Sequence, residues 1–183
     1  GMNVIDSISH AFATLGTGGF SNLNSSIGGY NSCGIDIVVT VFMFLAGINF
    51  SLYYYLITGK IQDIRENSEF KAYLGICFCV SILLALCITP VYGSFFTALR
   101  YSTFQTATII TTSGFATADY TTWPYAAQFF IFLLFFIGGC SGSTGGGIKV
   151  VRWVILGKQV NNEVKKILHP HGVFSIRLNN NPG

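Results

Sequence analysis

Two stretches of this chain leave little freedom about where it can live. Residues 35–57 (IDIVVTVFMFLAGINFSLYYYLI) and 72–91 (AYLGICFCVSILLALCITPV) are almost wholly apolar. Each reaches the roughly 20 residues that a helix needs to cross a bilayer. The stretch between them, TGKIQDIRENSEFK, is dense in charge. Only 9% of the 183 residues are charged and 51% are hydrophobic, whereas a soluble domain carries about 25% charged residues. So few charges cannot cover a water-facing surface of this size. The expected class is an all-α integral membrane protein.

The remaining apolar segments are shorter and follow a pattern. Residues 3–15 and 94–112 are only half apolar and too short or too polar for secure spans, and each runs into a Thr/Gly turn, GTGGFS in one case and TTSGFATADY in the other. Asp6 and Ser7 are suitable capping residues for the first of these helices. After each turn comes a polar outer loop, then a long apolar segment with a basic exit: 35–57 in the first half, and a run from Trp123 and Pro124 to Ile137 in the second. The second half also has a full outer helix, 72–91, before its short one. The repeating unit is therefore outer helix, re-entrant pore helix, filter turn, inner helix. The start, GMNVIDSISHAF, has no basic region, apolar run or cleavage site of a signal peptide, and the chain reads as an internal piece of a longer protein. The two turns pair in two ways. Matching Gly19 with Gly114 makes the Gly-Phe dipeptides coincide and sets Gly47 and Gly142 equally far downstream; matching Gly18 with Gly114 aligns Ala11 with Ala107. Both glycines stay open as the filter position.

Charge orients the pattern. Every lysine and arginine except Arg100 falls either between the two long spans (Lys60, Arg65, Lys71) or after Ile137 (Lys149, Arg152, Lys158, Lys165, Lys166, Arg177). The positive-inside rule places these in the cytoplasm, so the Thr/Gly turns approach from outside. Cys33, Cys77, Cys79, Cys87 and Cys140 show no metal-ligand spacing, and His10, His169 and His171 lie far from them. They read as small apolar residues rather than a zinc or redox centre.

Irregular backbone at membrane depth is tolerated only where it is buried in protein or lines water. Glycines let successive carbonyls point one way, threonine and serine add hydroxyls, and a ring of such oxygens can replace the hydration shell of an alkali cation. Pore helices would aim their negative C-terminal ends at the same place. Neither TGGF nor TSGF, the glycine-bearing part of each turn, holds a charged residue, which favours a carbonyl filter for a monovalent cation over a carboxylate ring for a divalent one.

The tract GGCSGSTGGGIK interrupts the last apolar segment. It is not a nucleotide loop. A Walker A turn needs Gly-Lys-Ser/Thr, but Lys149 lies between Ile148 and Val150; Gly142, Gly145 and Gly147 give the reverse of the dinucleotide spacing. Three consecutive glycines, each costing roughly 1 kcal/mol in a helix interior, should instead unwind an inner helix just below the filter. The equivalent first-half stretch, FLAGINFSLYYYLITGK, reads as unbroken. Ser141, Ser143 and Thr144 offer oxygens to a passing cation. Lys149 repels cations at the inner mouth, anchors the loop to a cytosolic partner, or simply snorkels at the interface.

Together HAFATLGTGGFS, FLAGINFSLYYYLITGK, TTSGFATADYTTWP and GGCSGSTGGGIKVVRW resemble the Trk/Ktr/HKT superfamily of potassium transporters, most closely its bacterial Trk-type membrane subunits. The resemblance covers essentially the whole chain. It implies four such units around one pore in the complete polypeptide. This piece would hold the second pore unit without its outer helix (1–60), a cytoplasmic linker (61–71), the third unit with a broken inner helix (72–158) and a cytoplasmic or interfacial segment (159–183). Thr17, Gly18 and Gly19 with Thr112, Ser113 and Gly114 would be two filter quadrants for K+. The tract from Gly138 and Gly139 through Ser141, Gly142, Ser143, Thr144, Gly145, Gly146 and Gly147 to Lys149 would be an intramembrane gate. No catalytic residue and no cofactor is implied. The implied partners are the lipid bilayer, a second copy in a homodimer and a cytosolic ring of nucleotide-binding regulatory subunits, not nucleic acid. The basic segment 149–166 would touch that ring or anionic lipid head groups. The implied setting is the bacterial inner membrane. A sodium-selective or sodium-coupled carrier of the same superfamily, or a non-conducting membrane subunit, are the alternatives. Two quadrants cannot close a pore, so the isolated piece is expected to conduct nothing.

Overall fold

The computed structural model describes residues 1–168, and among these every regular element is helical. Helix α1 (Val4–Leu15) starts after Asn3, whose side chain accepts from the Asp6 amide at 2.7 Å. Asp6 and Ser7 therefore lie inside the first turn and do not cap it; Ser7 donates back to the Asn3 carbonyl at 2.8 Å. A 3-10 turn over Ser26–Tyr30 leads into α2 (Cys33–Ala46).

The expectation of an unbroken inner helix over 35–57 does not hold. α2 ends at Ala46, α3 covers Phe50–Ile57, and the two are bent by 92°. Asn49 is the local cause: its backbone is extended and its side chain accepts from the Ser51 amide at 2.9 Å, which starts a new helix. A short α4 (Ile61–Glu66) precedes α5 (Ser68–Tyr92). Among the described helices α5 is the one long and apolar enough by itself to cross a membrane; α2 and α3 pass that test only as a bent pair. It begins at Ser68, inside the stretch expected as linker, because Asn67 accepts from the Phe70 amide at 2.8 Å. It ends at Gly93, which takes the left-handed conformation usual after a helix C-terminus.

Helix α6 (Phe95–Ile110) folds back along α5, α7 (Tyr125–Leu134) follows the loop over 111–124, and α8 (Val150–Leu168) closes the described chain. The interruption between α7 and α8 begins at Phe135, ahead of the glycines that sequence reasoning held responsible. His169, His171 and Arg177, like the end of the segment expected as cytoplasmic or interfacial, lie outside the described residues.

Helix α6 sits at the centre. Ala98 and Ile109 pack with Leu84 and Ile88 of α5 and Ala127, Ile131 and Leu134 of α7. Phe104 and Ala107 pack with Val39 and Met43 of α2. Ile110 joins Tyr73 and Cys77 of α5, Cys140, and Val150 of α8. Serine, threonine and glutamine are also buried along it, among them Ser102, Gln105, Thr106 and Thr108. Arg100, the one basic residue expected on the outer side, pairs its Nε with Asp36 of α2 at 3.5 Å and stacks its guanidinium 4.5 Å from the Tyr101 ring centroid. That ion pair joins the two halves of the chain.

Candidate functional site

The two Thr/Gly turns are the same structure made twice. Each follows the last residue of a short helix, Leu15 of α1 and Ile110 of α6. In the first turn the amides of Gly16, Thr17 and Gly18 donate to Phe12, Thr14 and Ala13, and the Gly19 amide shares the Ala13 carbonyl. In the second the amides of Thr111, Thr112 and Ser113 donate to Ala107, Ile109 and Thr108, and the Gly114 amide shares the Thr108 carbonyl. Every donor and acceptor recurs at the interval that takes Gly19 to Gly114. The backbone angles agree: φ is +50° at Thr17 and +66° at Gly19, +57° at Thr112 and +82° at Gly114. The repeat therefore pairs Gly19, not Gly18, with Gly114, and Gly18 with Ser113.

Left-handed backbone is ordinary for glycine but a genuine outlier for a β-branched residue. Two threonines hold it at equivalent places, and such strain persists only when the surroundings over-determine it. Here the turn amides are all spent on helix carbonyls. Among the described residues nothing donates to the carbonyls of Thr17, Gly18, Thr112 or Ser113. The two turns also touch: a Cβ on Gly19 would fall 1.8 Å from the Ser113 carbonyl oxygen. The side-chain braces differ between the halves. Thr108 donates its hydroxyl to the Phe115 carbonyl at 2.8 Å in the second turn, while Ala13 holds the equivalent place in the first. There His10, 2% exposed, takes over. Its Nδ1 lies 2.7 Å from the Asp6 carbonyl and so must carry a proton, leaving Nε2 to accept from Ser21 Oγ at 2.9 Å in the neutral ring.

The glycine tract forms a loop over 135–149 whose tip, Thr144 to Gly146, lies against both turns. Thr144 donates its hydroxyl to the Leu15 carbonyl at 3.0 Å and lies 3.4 Å from that of Ala46. Thr17 donates to the Thr144 carbonyl at 3.1 Å. The Gly146 amide donates to Thr112 Oγ1 at 2.7 Å. Both strained threonines thus hold the tip. Lys149 turns back into the loop, with Nζ donating to the Gly145 carbonyl and 3.5 Å from Ser143 Oγ. The loop's neck is closed by the Gly138 amide on the Ile148 carbonyl at 2.8 Å and the Val150 amide on the Gly139 carbonyl at 3.1 Å.

The same loop supplies partners to the break between α2 and α3. The Cys140 amide donates to the Gly47 carbonyl at 2.9 Å, and the Phe50 amide to the Gly142 carbonyl at 3.2 Å. All the sequence-proposed residues from Thr17 to Lys149 thus fall in one cluster of two turns and one loop. His10, Asn49 and Glu69 belong to its supports and were not singled out. A signal existed for His10, which shares its register with the polar Gln105, but not for Glu69, which in sequence falls in the charged stretch 58–71. No group of three or more His, Cys, Asp or Glu that could hold a metal occurs among the described residues, so oxygen from the backbone and hydroxyls is the chemistry this site offers.

Comparison with known proteins agrees with this architecture. The family model described as "TrkH: Cation transport protein" matches residues 1–181. The chain belongs to the TrkH cation transport protein family. It is 37% identical over 183 residues to the Trk system potassium uptake protein TrkH of Escherichia coli K12, covering 98% of this chain and 38% of that protein. It is 35% identical to Trk system potassium uptake protein TrkG of the same organism, covering 97% and 37%. The crystal structure of the potassium transporter TrkH from Vibrio parahaemolyticus superposes with a TM-score of 0.90 at 34% identity, covering 97% of this chain and 39% of that one. The chain thus spans under two-fifths of the length of the TrkH-family relatives it matches.

Proposed function

We propose that this chain is part of a potassium uptake protein of a bacterial inner membrane. The cation sheds water onto the carbonyls of the Thr17–Gly19 and Thr112–Gly114 turns, and the glycine loop below them is the gate. The observation that carries this reading is the repeated strained turn: two left-handed threonines at equivalent positions, with their amides spent and their carbonyls free. Oxygens without donors can replace a hydration shell, and the absence of carboxylates from both turns suits a monovalent ion. The names of the relatives support potassium as the ion.

For the gate, the support is the position of Thr144 to Gly146 against both turns, to which the tip is joined by neutral hydrogen bonds. In the complete protein the reading carries two further quadrants, a homodimer and a cytosolic regulatory ring contacted by the basic segment 149–166. It also sets the turns toward the outside and the charged loop 60–71 in the cytoplasm.

The test is complementation of a potassium-uptake-deficient host by the full-length protein, with and without deletion of Gly145 to Gly147. Growth at low potassium, and higher flux that no longer responds to the regulator in the deletion, is expected. Absence of growth with protein present in the membrane overturns the transport reading; unchanged gating in the deletion overturns the role of the loop.

A further inference from the structure

The loop is attached at two places of unlike chemistry. At its tip the bonds to the turns are neutral: the Thr17 hydroxyl donates to the Thr144 carbonyl, the Thr144 hydroxyl to the Leu15 carbonyl, and the Gly146 amide to Thr112 Oγ1. At its neck a charged group does the work. Glu69 stands in the first turn of α5, only 7% exposed, far from the loop in sequence. One carboxylate oxygen, Oε1, accepts from the Ser141 amide at 2.5 Å and from the Val151 amide at 3.2 Å. Ser141 is on the outgoing limb of the loop and Val151 is in the first turn of α8 on the returning limb. Glu69 therefore adds a rung across the neck, beside the Gly138–Ile148 and Gly139–Val150 bonds. It also faces the positive end of α8, where a carboxylate is stabilised.

Charge-assisted hydrogen bonds are roughly twice as strong as neutral ones, and an unpaired buried carboxylate is costly. When the loop moves, the tip contacts give way before the neck does. We propose that Glu69 is a positioning residue that keeps the neck shut and fixes it to the first turn of α8, so that the tip moves as one body. This rests on the reading of the loop as a gate, but its central claim concerns the closed neck and has a readout independent of transport.

Cys140, wholly buried beside Ser141, supplies that readout. In the full-length protein with Cys33, Cys77, Cys79 and Cys87 replaced by serine or alanine, and any cysteines elsewhere in the protein likewise replaced, alkylation of Cys140 by a membrane-permeant maleimide reports opening of the neck. Glu69→Ala is expected to speed alkylation about tenfold to hundredfold, the shift in local opening that follows loss of a charge-assisted bond. Glu69→Gln, which keeps an acceptor oxygen in place but loses the charge, should fall between the parent and the alanine variant. Glu69→Asp keeps the charge but withdraws it by one methylene, and should fall between. It also serves as the test should the alanine variant fail to reach the membrane. Unchanged Cys140 alkylation in the alanine and aspartate variants overturns the proposal. Faster alkylation with higher regulator-independent potassium flux supports both the proposal and the gate. Faster alkylation with unaltered flux supports the closed neck and overturns the gate reading instead.

Discussion

Three glycine-to-alanine substitutions in the turns should separate strain from contact, and with them the pairing of Gly19 with Gly114. At Gly18 φ is not positive, and the nearest atoms to an added Cβ are the ring carbons of Phe20 at 3.1 Å, the far end of a side chain that can swing. At Gly114 φ is +82° but nothing lies within 4 Å. At Gly19 φ is +66° and the Cβ would fall 1.8 Å from the Ser113 carbonyl oxygen, where ordinary contact begins at 3.4 Å. Left-handed backbone costs an L-residue roughly 1–2 kcal/mol. Gly114→Ala should therefore reduce rubidium or potassium uptake by about tenfold, the factor that 1.4 kcal/mol buys. Gly19→Ala has the same conformational cost, and in addition must drive the two turns apart by more than 1 Å. Misplacement on that scale costs on the order of a hundredfold at a preorganised site. Gly18→Ala should stay within about twofold of the parent, as substitutions free of a named mechanism do. The assay is initial uptake rate in a potassium-uptake-deficient host, normalised to the amount of full-length protein in the membrane. If Gly18→Ala proves as damaging as Gly19→Ala, or Gly19→Ala proves harmless, the repeat register and the contact between the turns are both wrong.

Other perturbations probe the supports. Thr144→Val keeps the shape but removes the hydroxyl on the Leu15 carbonyl. Loss of a neutral bond worth about 0.5–1.5 kcal/mol should raise flux without regulator by a few-fold, read as uptake in a regulator-deleted strain. His10→Ala leaves Ser21 without its ring partner and should lower the melting temperature in detergent and slow uptake. His10→Gln, which reproduces the residue found at Gln105, should recover most of both; equal damage from the two variants would show that the hydrogen bonds of His10 are not what matters. Asp36→Asn breaks the ion pair with Arg100. Because the Arg100 side chain is 28% exposed, the cost should be about 1–2 kcal/mol rather than that of a fully buried pair. It is measured as a downward shift in thermal unfolding of the purified protein, and it should largely vanish when Arg100 is already Gln.

Much of this was legible from periodicity and punctuation. The span over 72–91, the short helices before each Thr/Gly turn and the existence of an interruption near the glycine tract follow from apolar length and glycine, both local properties; the start at Ser68, set by the Asn67 cap, and the break at Phe135 do not. What stayed hidden was non-local. FLAGINFSLYYYLITGK looks continuous because Asn49 is weakly unfavourable inside a helix and its gain as a cap appears only when the chain turns there. The choice between Gly18 and Gly19 was balanced in sequence, since aligned dipeptides and aligned alanines weighed alike. The hydrogen bonds of Ala13 and Thr108 decide it. Glu69 read as one more acid of the charged loop, because its partners are backbone amides with no signature in sequence.

The correction at Asn49 also alters what the glycine tract means. Had α2 and α3 been one helix, the loop would be a lone defect, and its freed amides and carbonyls would need water from the pore. Instead two breaks face each other. The carbonyl of Gly47, released where α2 stops, receives the Cys140 amide, and the carbonyl of Gly142, exposed in the loop, receives the Phe50 amide at the start of α3. Each break satisfies backbone groups that the other leaves unpaired, which is the condition for irregular backbone away from water. The outgoing side of the neck, Gly138 to Cys140, is thus buried in protein, while the tip relies on the two strained threonines. A substitution that straightens the α2–α3 junction, such as Asn49→Leu, should disturb the loop as much as α3 itself. It should expose Cys140 to alkylation although Cys140 is distant in sequence. Protection of Cys140 that survives a straightened junction would mean the two breaks are independent.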